Sequence, residues 1–151
     1  MKIREASRHD LFAWLRLRQS LWPECPPERH RAEMAAIRRQ RHTATVLLAV
    51  DHAGGVVGFV ELSLRPSAEG CDSSPVAYLE GLFVEESCRD QGIGRVLLES
   101  AEAWAQNKGC RELASDAAWD NQVSVEVHRA LGFEQTARLI HFRKRLPSEP
   151  S

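Results

Sequence analysis

The sequence predicts an α+β fold of the α/β type: a mixed, mostly antiparallel central sheet with helices on both faces. Three observations predict it. "TATVLLAV" and "VVGFVELSLR" are β-rich runs, and "HAGG" between them reads as a hairpin turn between antiparallel strands. "VAYLEGLFV" is almost wholly apolar, as a strand covered on both faces must be. It leads through a glycine loop into an amphipathic helix and then into "CRELASDA", and strand–helix–strand implies a right-handed crossover between two parallel central strands.

The other elements follow in order. "KIREA" alternates and reads as a short edge strand. Ser7 or Asp10 can cap the next helix, where Leu11, Trp14, Leu15, Arg18 and Leu21 fall at helical spacing. "WPECPP" stops it, because proline lacks the donor a helix needs. A second helix runs from about Glu28 to Arg41, with Met34 and Ile37 on one side. After the hairpin, the loop "PSAEGCDSSP" and the apolar strand, a helix from Gly92 to about Asn107 turns Ile93, Val96, Leu97, Ala101 and Trp104 inward. Gly109 is its left-handed cap. The strand "CRELASDA" precedes a helix in "WDNQVSVEVHRALG", capped by Asp120 or Asn121, with Val123, Val127 and Leu131 inward. "FEQTARLIHFRKRL" supplies a last strand or two, so the order is β-α-α-β-β-β-α-β-α-β. Residues 1–146 read as one domain and 147–151 as a frayed tail, since 151 residues suit one core and leave no room for a second.

Bulk properties exclude several classes. A net charge of -1 argues against a general nucleic-acid binder, which carries a basic excess. No apolar run approaches the roughly 20 residues of a bilayer span, and "MKIREASRHD" lacks the apolar core of a secretory signal. Cys25, Cys71, Cys88 and Cys110 form no C-x-x-C pair, so reduced thiols in a cytoplasmic protein are expected, with no metal site.

The chemistry centres on "ESCRDQGIGRVLLESAEAWAQ". Backbone N–H groups at a helix start have no internal partner, and the helix dipole is positive there. Glycines let those groups converge on a phosphate, and Arg89 and Arg95 add charge, so the stretch suits a pyrophosphate. The lysine-serine of a P-loop is missing, as is the third glycine of a dinucleotide fingerprint. On the loop alone, a structural turn remains an equal reading.

Two motifs together reach further. R-x-x-G-x-G after "LEGLFVEESC", with "DNQVSVEVHRALGF" some thirty residues on, resembles the GNAT (GCN5-related) N-acetyltransferases, as does the element order over nearly the whole chain. Within that superfamily, "WLRLRQSLWPE", "AYLEGLFV" and "ASDAAWDN…HRALGFEQT" resemble the aminoglycoside 6'-N-acetyltransferases. The resemblance implies acetyl-coenzyme A as co-substrate. Its pyrophosphate would lie on Gln91, Gly92, Ile93, Gly94 and Arg95, flanked by Arg89 and Asp90. Its pantetheine arm would pair with the backbone of Leu82, Phe83 and Val84 like an added strand, and Asn121 would contact that arm.

The acceptor implied is an aminoglycoside amine. A primary amine near neutrality is an ammonium (a model lysine has pKa about 10.4) and must lose a proton before it attacks a thioester. Glu80 and Asp116, at the ends of neighbouring strands, match positions that bind the drug in that family, with Asp116 preferred as proton acceptor. Each carboxylate could instead only cap a helix or pair with an arginine. Trp22 reads either as core packing or as a wall of the sugar site, and Glu24 and Glu28 either add negative field or are merely solvated. His128 stands where many GNAT enzymes carry a tyrosine that protonates the departing thiolate, and an imidazole could do the same or only hydrogen-bond the cofactor or a neighbouring strand. Tyr78, the only tyrosine, is expected to pack within its strand. Two departures bear on drug preference: "PSAEGCDSSP" lacks the aromatic that relatives often carry there, and Ala137 stands where they often have an acid. The resemblance also implies a homodimer, with late strands or loops completing the partner's site. The rivals are acetylation of another amine (a polyamine, a peptide N-terminus, a metabolite) and a non-catalytic domain that senses acetyl-coenzyme A.

Overall fold

The computed structural model describes residues 1–117 and 121–147. Two compact units are present, Met1–Asp116 and the described residues from Ala117 onward.

The first unit is built on one five-stranded sheet. Its strands are β1 (Lys2–Glu5), β2 (Ala44–Val50), β3 (Val56–Arg65), β4 (Val76–Val84) and β5 (Leu113–Ala114), side by side in sequence order. The first three pairings are antiparallel and β4–β5 is parallel. The sheet is mixed, as expected, and β3 and β4 occupy the stretches read from their patterning. β5 is far shorter than "CRELASDA", and among the described residues it forms an edge of the sheet rather than part of its centre.

Helices α1 (Leu11–Leu21) and α2 (Pro27–Arg39) cover one face, and α3 (Ile93–Asn107) covers the other. Successive residues of β3 show both faces. A Cβ on Gly58 would stand 3.3 Å from Leu97 of α3, while Phe59 packs with Trp14 of α1. The α1 side carries a core of Trp14, Leu17, Met34, Val46, Leu48, Val50, Val56 and Phe59. On α3 the buried stripe is Ile93, Leu97, Leu98, Ala101 and Ala105. Val96 and Trp104, expected inward, are only half-buried because the stripe turns toward Leu98 and Ala105.

Local chemistry sets the element ends. Ser7 and Asp10 form a capping box on the short turn Arg8–Asp10. Asp10 also pairs with Arg4 at 2.7 Å, and that guanidinium holds its carboxyl down at about 2 against the cost of burial. Pro27 opens α2, where a missing N–H costs nothing, and the helix stops at Arg39, short of the expected Arg41. Gly109 adopts φ +82 after α3, as its cap role requires.

The second unit contains α4 (Gln122–Ala130). Asn121 caps it, accepting from the Ser124 N–H at 3.1 Å, whereas Asp120 lies outside the described residues. Val123 and Val127, expected inward, are 73% and 50% exposed. The strands expected in "FEQTARLIHFRKRL" are not formed, and residues 133–147 carry no regular structure. A strand needs a neighbour for its ladder, and among its described residues this unit offers only a helix.

Candidate active site

The two acids singled out in the sequence belong to one connected row of side chains. β3 carries Glu61, Ser63 and Arg65 at alternate positions, so all three share a face. On β4 the register slips: Glu61 faces Gly81 and Leu62 faces Leu79, which leaves Glu80 without a partner. This bulge sets Glu80 against β3's polar row. Ser63 Oγ donates to Glu80 Oε1 at 2.6 Å, and Arg65 donates to both Glu80 oxygens at 2.8 and 3.1 Å. The same guanidinium lies 3.5 Å from the centre of the Tyr78 ring. The Tyr78 hydroxyl in turn donates to Asp116 Oδ2 at 2.5 Å. Burial, then the Asp116 carboxylate, pushes the phenol up to about 12, so it remains a donor at neutral pH. Tyr78 is therefore not simply packed in its strand: ring and hydroxyl join Glu80 to Asp116 through Arg65. Glu80 does pair with an arginine, as its alternative reading held, but within a row that ends on the second acid.

This row lies where β4 and β5 part. The two strands pair only at Ala77–Leu113 and Tyr78–Ala114. Beyond Tyr78, among the described residues, no strand pairs with β4 on that side. The stretch Leu82–Val84 thus has a free edge that suits an added strand. Part of it is engaged, since Arg89 Nε donates to the Val84 carbonyl at 2.9 Å and its guanidinium lies 5.4 Å from the Phe83 ring centre. A cavity of about 810 Å³ opens here, lined by Ser20, Phe83, Glu85, Glu86, Ser87 and Arg89.

The loop into α3 has the form of an anion cradle. Asp90 and Gly92 both take left-handed backbone, at φ 64 and φ 81. No side chain caps the helix at Gly92, and helix geometry leaves the N–H groups of Ile93, Gly94 and Arg95 without internal acceptors. Nothing lies within 4 Å of where a Gly92 Cβ would stand, so space for a ligand exists above the helix start. Gln91 and Arg95 are exposed beside it. The residues present fit a pyrophosphate.

Trp22 packs against the α1-side core. It stacks edge-on against Phe59 at 6.2 Å, and a Cβ on Gly81 would fall 2.5 Å from its ring, so β4 must carry glycine there. Behind it is a cluster that the sequence reading did not identify. Arg18, 1% exposed, pairs with Glu61 at 2.7 Å and with Glu33, and lies 4.8 Å from the centre of the Trp22 ring. Trp14 Nε1 also donates to Glu61 at 2.8 Å. Burial pushes the Glu61 carboxyl up, opposed by Arg18. Arg18 Nε donates to His30 Nδ1 at 3.1 Å, so Nδ1 is bare and the proton sits on Nε2, which donates to the Trp22 carbonyl at 3.2 Å. A signal existed: Arg18 falls on the apolar stripe of α1, where a charge must have a buried partner.

His128 and Asn121 lie in the second unit. His128 Nδ1 donates to the Ser124 carbonyl at 2.7 Å, and its ring meets Phe133 edge-on at 5.3 Å. Asn121 uses its side-chain oxygen on the α4 cap. Among the described residues no group of His, Cys, Asp or Glu could hold a metal ion, and no helix is long and apolar enough to cross a membrane.

A mixed sheet whose parallel strands pair at only two positions, with an anion cradle at the next helix start, suits an acyl-coenzyme A transferase, and comparison with known proteins makes the class specific. Residues 14–133 match the acetyltransferase (GNAT) family model, and the chain belongs to that family. It is 44% identical to an aminoglycoside N(6')-acetyltransferase type 1 of Salmonella typhimurium over 96% of this chain and 99% of that one. It is 46% identical to the enzyme of the same name from Serratia marcescens, over 91% and 95%. Among solved structures, AAC(6')-Iy in complex with the bisubstrate analogue CoA-S-monomethyl-acetylneamine superposes with TM-score 0.89 at 41% identity, over 96% of this chain and 98% of that one.

Proposed function

We propose that this chain is an aminoglycoside 6'-N-acetyltransferase that moves the acetyl group of acetyl-coenzyme A to the 6'-amine of an aminoglycoside antibiotic by direct attack in a ternary complex, conferring resistance. The observation that carries the reading is the Glu80–Arg65–Tyr78–Asp116 row at the parting of β4 and β5. It stands in a chain similar over nearly its whole length to enzymes named for that reaction.

Bound acetyl-coenzyme A supplies the acetyl group as a thioester. Gln91–Arg95, with Arg89 and Asp90, hold its pyrophosphate, and the backbone of Leu82, Phe83 and Val84 holds its arm, with Asn121 as a further contact. Glu80 and Asp116 attract the drug's ammonium groups, and Trp22 gives the sugar ring a flat apolar wall. Asp116 takes the proton that the attacking nitrogen must lose, directly or through water. The nitrogen bonds to the carbonyl carbon, the carbon–sulfur bond breaks, the second proton that nitrogen sheds as it becomes an amide passes to water, and His128, as an imidazolium, gives a proton to the sulfur. That role requires a proton on Nε2, because Nδ1–H is committed to Ser124.

The reading includes one domain over residues 1–146, supported by a family match that runs through the boundary between the two units. It includes a homodimer, supported by the exposure of Ile140, Phe142 and Leu146 at 77%, 91% and 80%, and a cytoplasmic location, where the cofactor and the drug's target occur together.

Mass spectrometry after incubation with acetyl-coenzyme A tests the substrate. Kanamycin B and tobramycin should each gain one acetyl group and a 6'-hydroxyl analogue none. Thiol release with spermidine or a peptide amine but not with these drugs would overturn the reading.

A further inference from the structure

Asp116 has little to hold it. It lies beyond the last paired residue of β5, in a segment without regular structure, and its side chain is exposed. A carboxylate so placed would sample many orientations, and proton transfer depends on holding one. The only side-chain hydrogen bond formed by the Asp116 carboxylate among the described residues comes from Tyr78. The phenol is rigidly based. Its backbone pairs with Ser63 on one side and Ala114 on the other, at the centre of the β3–β4–β5 ladder. Its ring is covered by Arg65, which is itself anchored by two hydrogen bonds to Glu80. The hydroxyl meets Oδ2, and among the described residues Oδ1 accepts no side-chain hydrogen bond, so it is the oxygen offered to an incoming amine.

We propose that Tyr78, clamped by Arg65, is a positioning residue of the acceptor site: its hydroxyl fixes the Asp116 carboxylate so that Oδ1 faces the substrate amine. The proposal rests on the reading of Asp116 as proton acceptor. Arg65 has a second part in it. Its guanidinium holds Glu80, so an arriving ammonium shares Glu80 with a cation that already orders the row.

The test uses the full chain. Tyr78→Phe keeps the ring and the Arg65 contact and removes only the hydroxyl. The kcat for tobramycin should fall about ten-fold, the worth of one hydrogen bond to a charged group, with the KM for acetyl-coenzyme A unchanged. Because the chain holds a single tyrosine, fluorotyrosine labelling yields one fluorine NMR resonance. That resonance should move on Asp116→Asn, and again when tobramycin is added to the unsubstituted protein. Unaltered kcat in Tyr78→Phe, or a resonance that ignores Asp116→Asn, would overturn the proposal. If the unsubstituted chain does not acetylate tobramycin, the substrate reading fails, and the response to Asp116→Asn alone decides whether Tyr78 holds that carboxylate.

Discussion

Arg18 shows how one residue can tie stability to the site. A lone guanidinium in the core would be prohibitive, yet here Glu61, Glu33 and His30 surround it, and no buried side-chain nitrogen or oxygen among the described residues lacks a hydrogen-bond partner. Such clusters add little net stability, because desolvation cancels most of the attraction, but breaking one is costly. Arg18→Met should therefore destabilise the protein by about 3–5 kcal/mol in urea unfolding, since Glu61 is left buried and uncompensated. Adding Glu61→Leu should recover part of that loss, because the orphaned charge is gone. A double variant no more stable than Arg18→Met would show that packing against Trp22, not charge, accounts for the loss. Single residues of this kind were only half legible. The place of Arg18 on an apolar stripe announces a buried partner, but nothing in the spacing names Glu61, which lies forty-three positions away. The Tyr78–Asp116 contact, across thirty-eight positions, was equally hidden.

At the level of elements, reading succeeded where local signals are redundant. β3 and β4 combine apolar patterning with turn residues at their flanks, and α3 combines a glycine start, an apolar stripe and a glycine end. It failed where structure depends on a neighbour. The bulge at Glu80 is a property of two strands in register, not of either alone. The last strands had the right residues and no ladder to join. The loop between β4 and α3 is the element on which the cofactor reading depends, and Gly92 tests it. At φ +81 a β-branched residue is strained by about 1–3 kcal/mol, and its side chain would stand in the open space over the first N–H groups of α3. Gly92→Val should raise the KM for acetyl-coenzyme A about ten-fold, the cost of roughly one charge-assisted contact, while circular dichroism stays near the parent's. A folded variant with unchanged cofactor affinity would contradict the cradle.

On the scale of the whole molecule, the first unit buries its apolar residues well and the second does not. In the first, Trp14, Leu17, Leu48 and Phe59 are fully buried, and the exposed exceptions are Phe12 on α1 and the terminal Met1. In the second, Val123, Val127, Leu139, Ile140, Phe142 and Leu146 are all large, apolar and at least 48% exposed. Six such residues in one short segment are more than a solvated surface tolerates, and they mark surface that awaits cover. The stretch "RLIHFRKRL" also alternates enough to pair as a strand if a neighbouring edge is supplied. A second copy of the chain would supply both cover and edge, at the roughly 1,200–2,000 Å² that a stable association buries. Sedimentation equilibrium should accordingly give twice the chain mass. Ile140→Lys with Phe142→Lys, placed at exposed positions, should shift the equilibrium to the monomer with helix content unchanged and with loss only of the strand that the tail forms in the pair. A parent chain that sediments as a monomer at every concentration tested would reject the dimer.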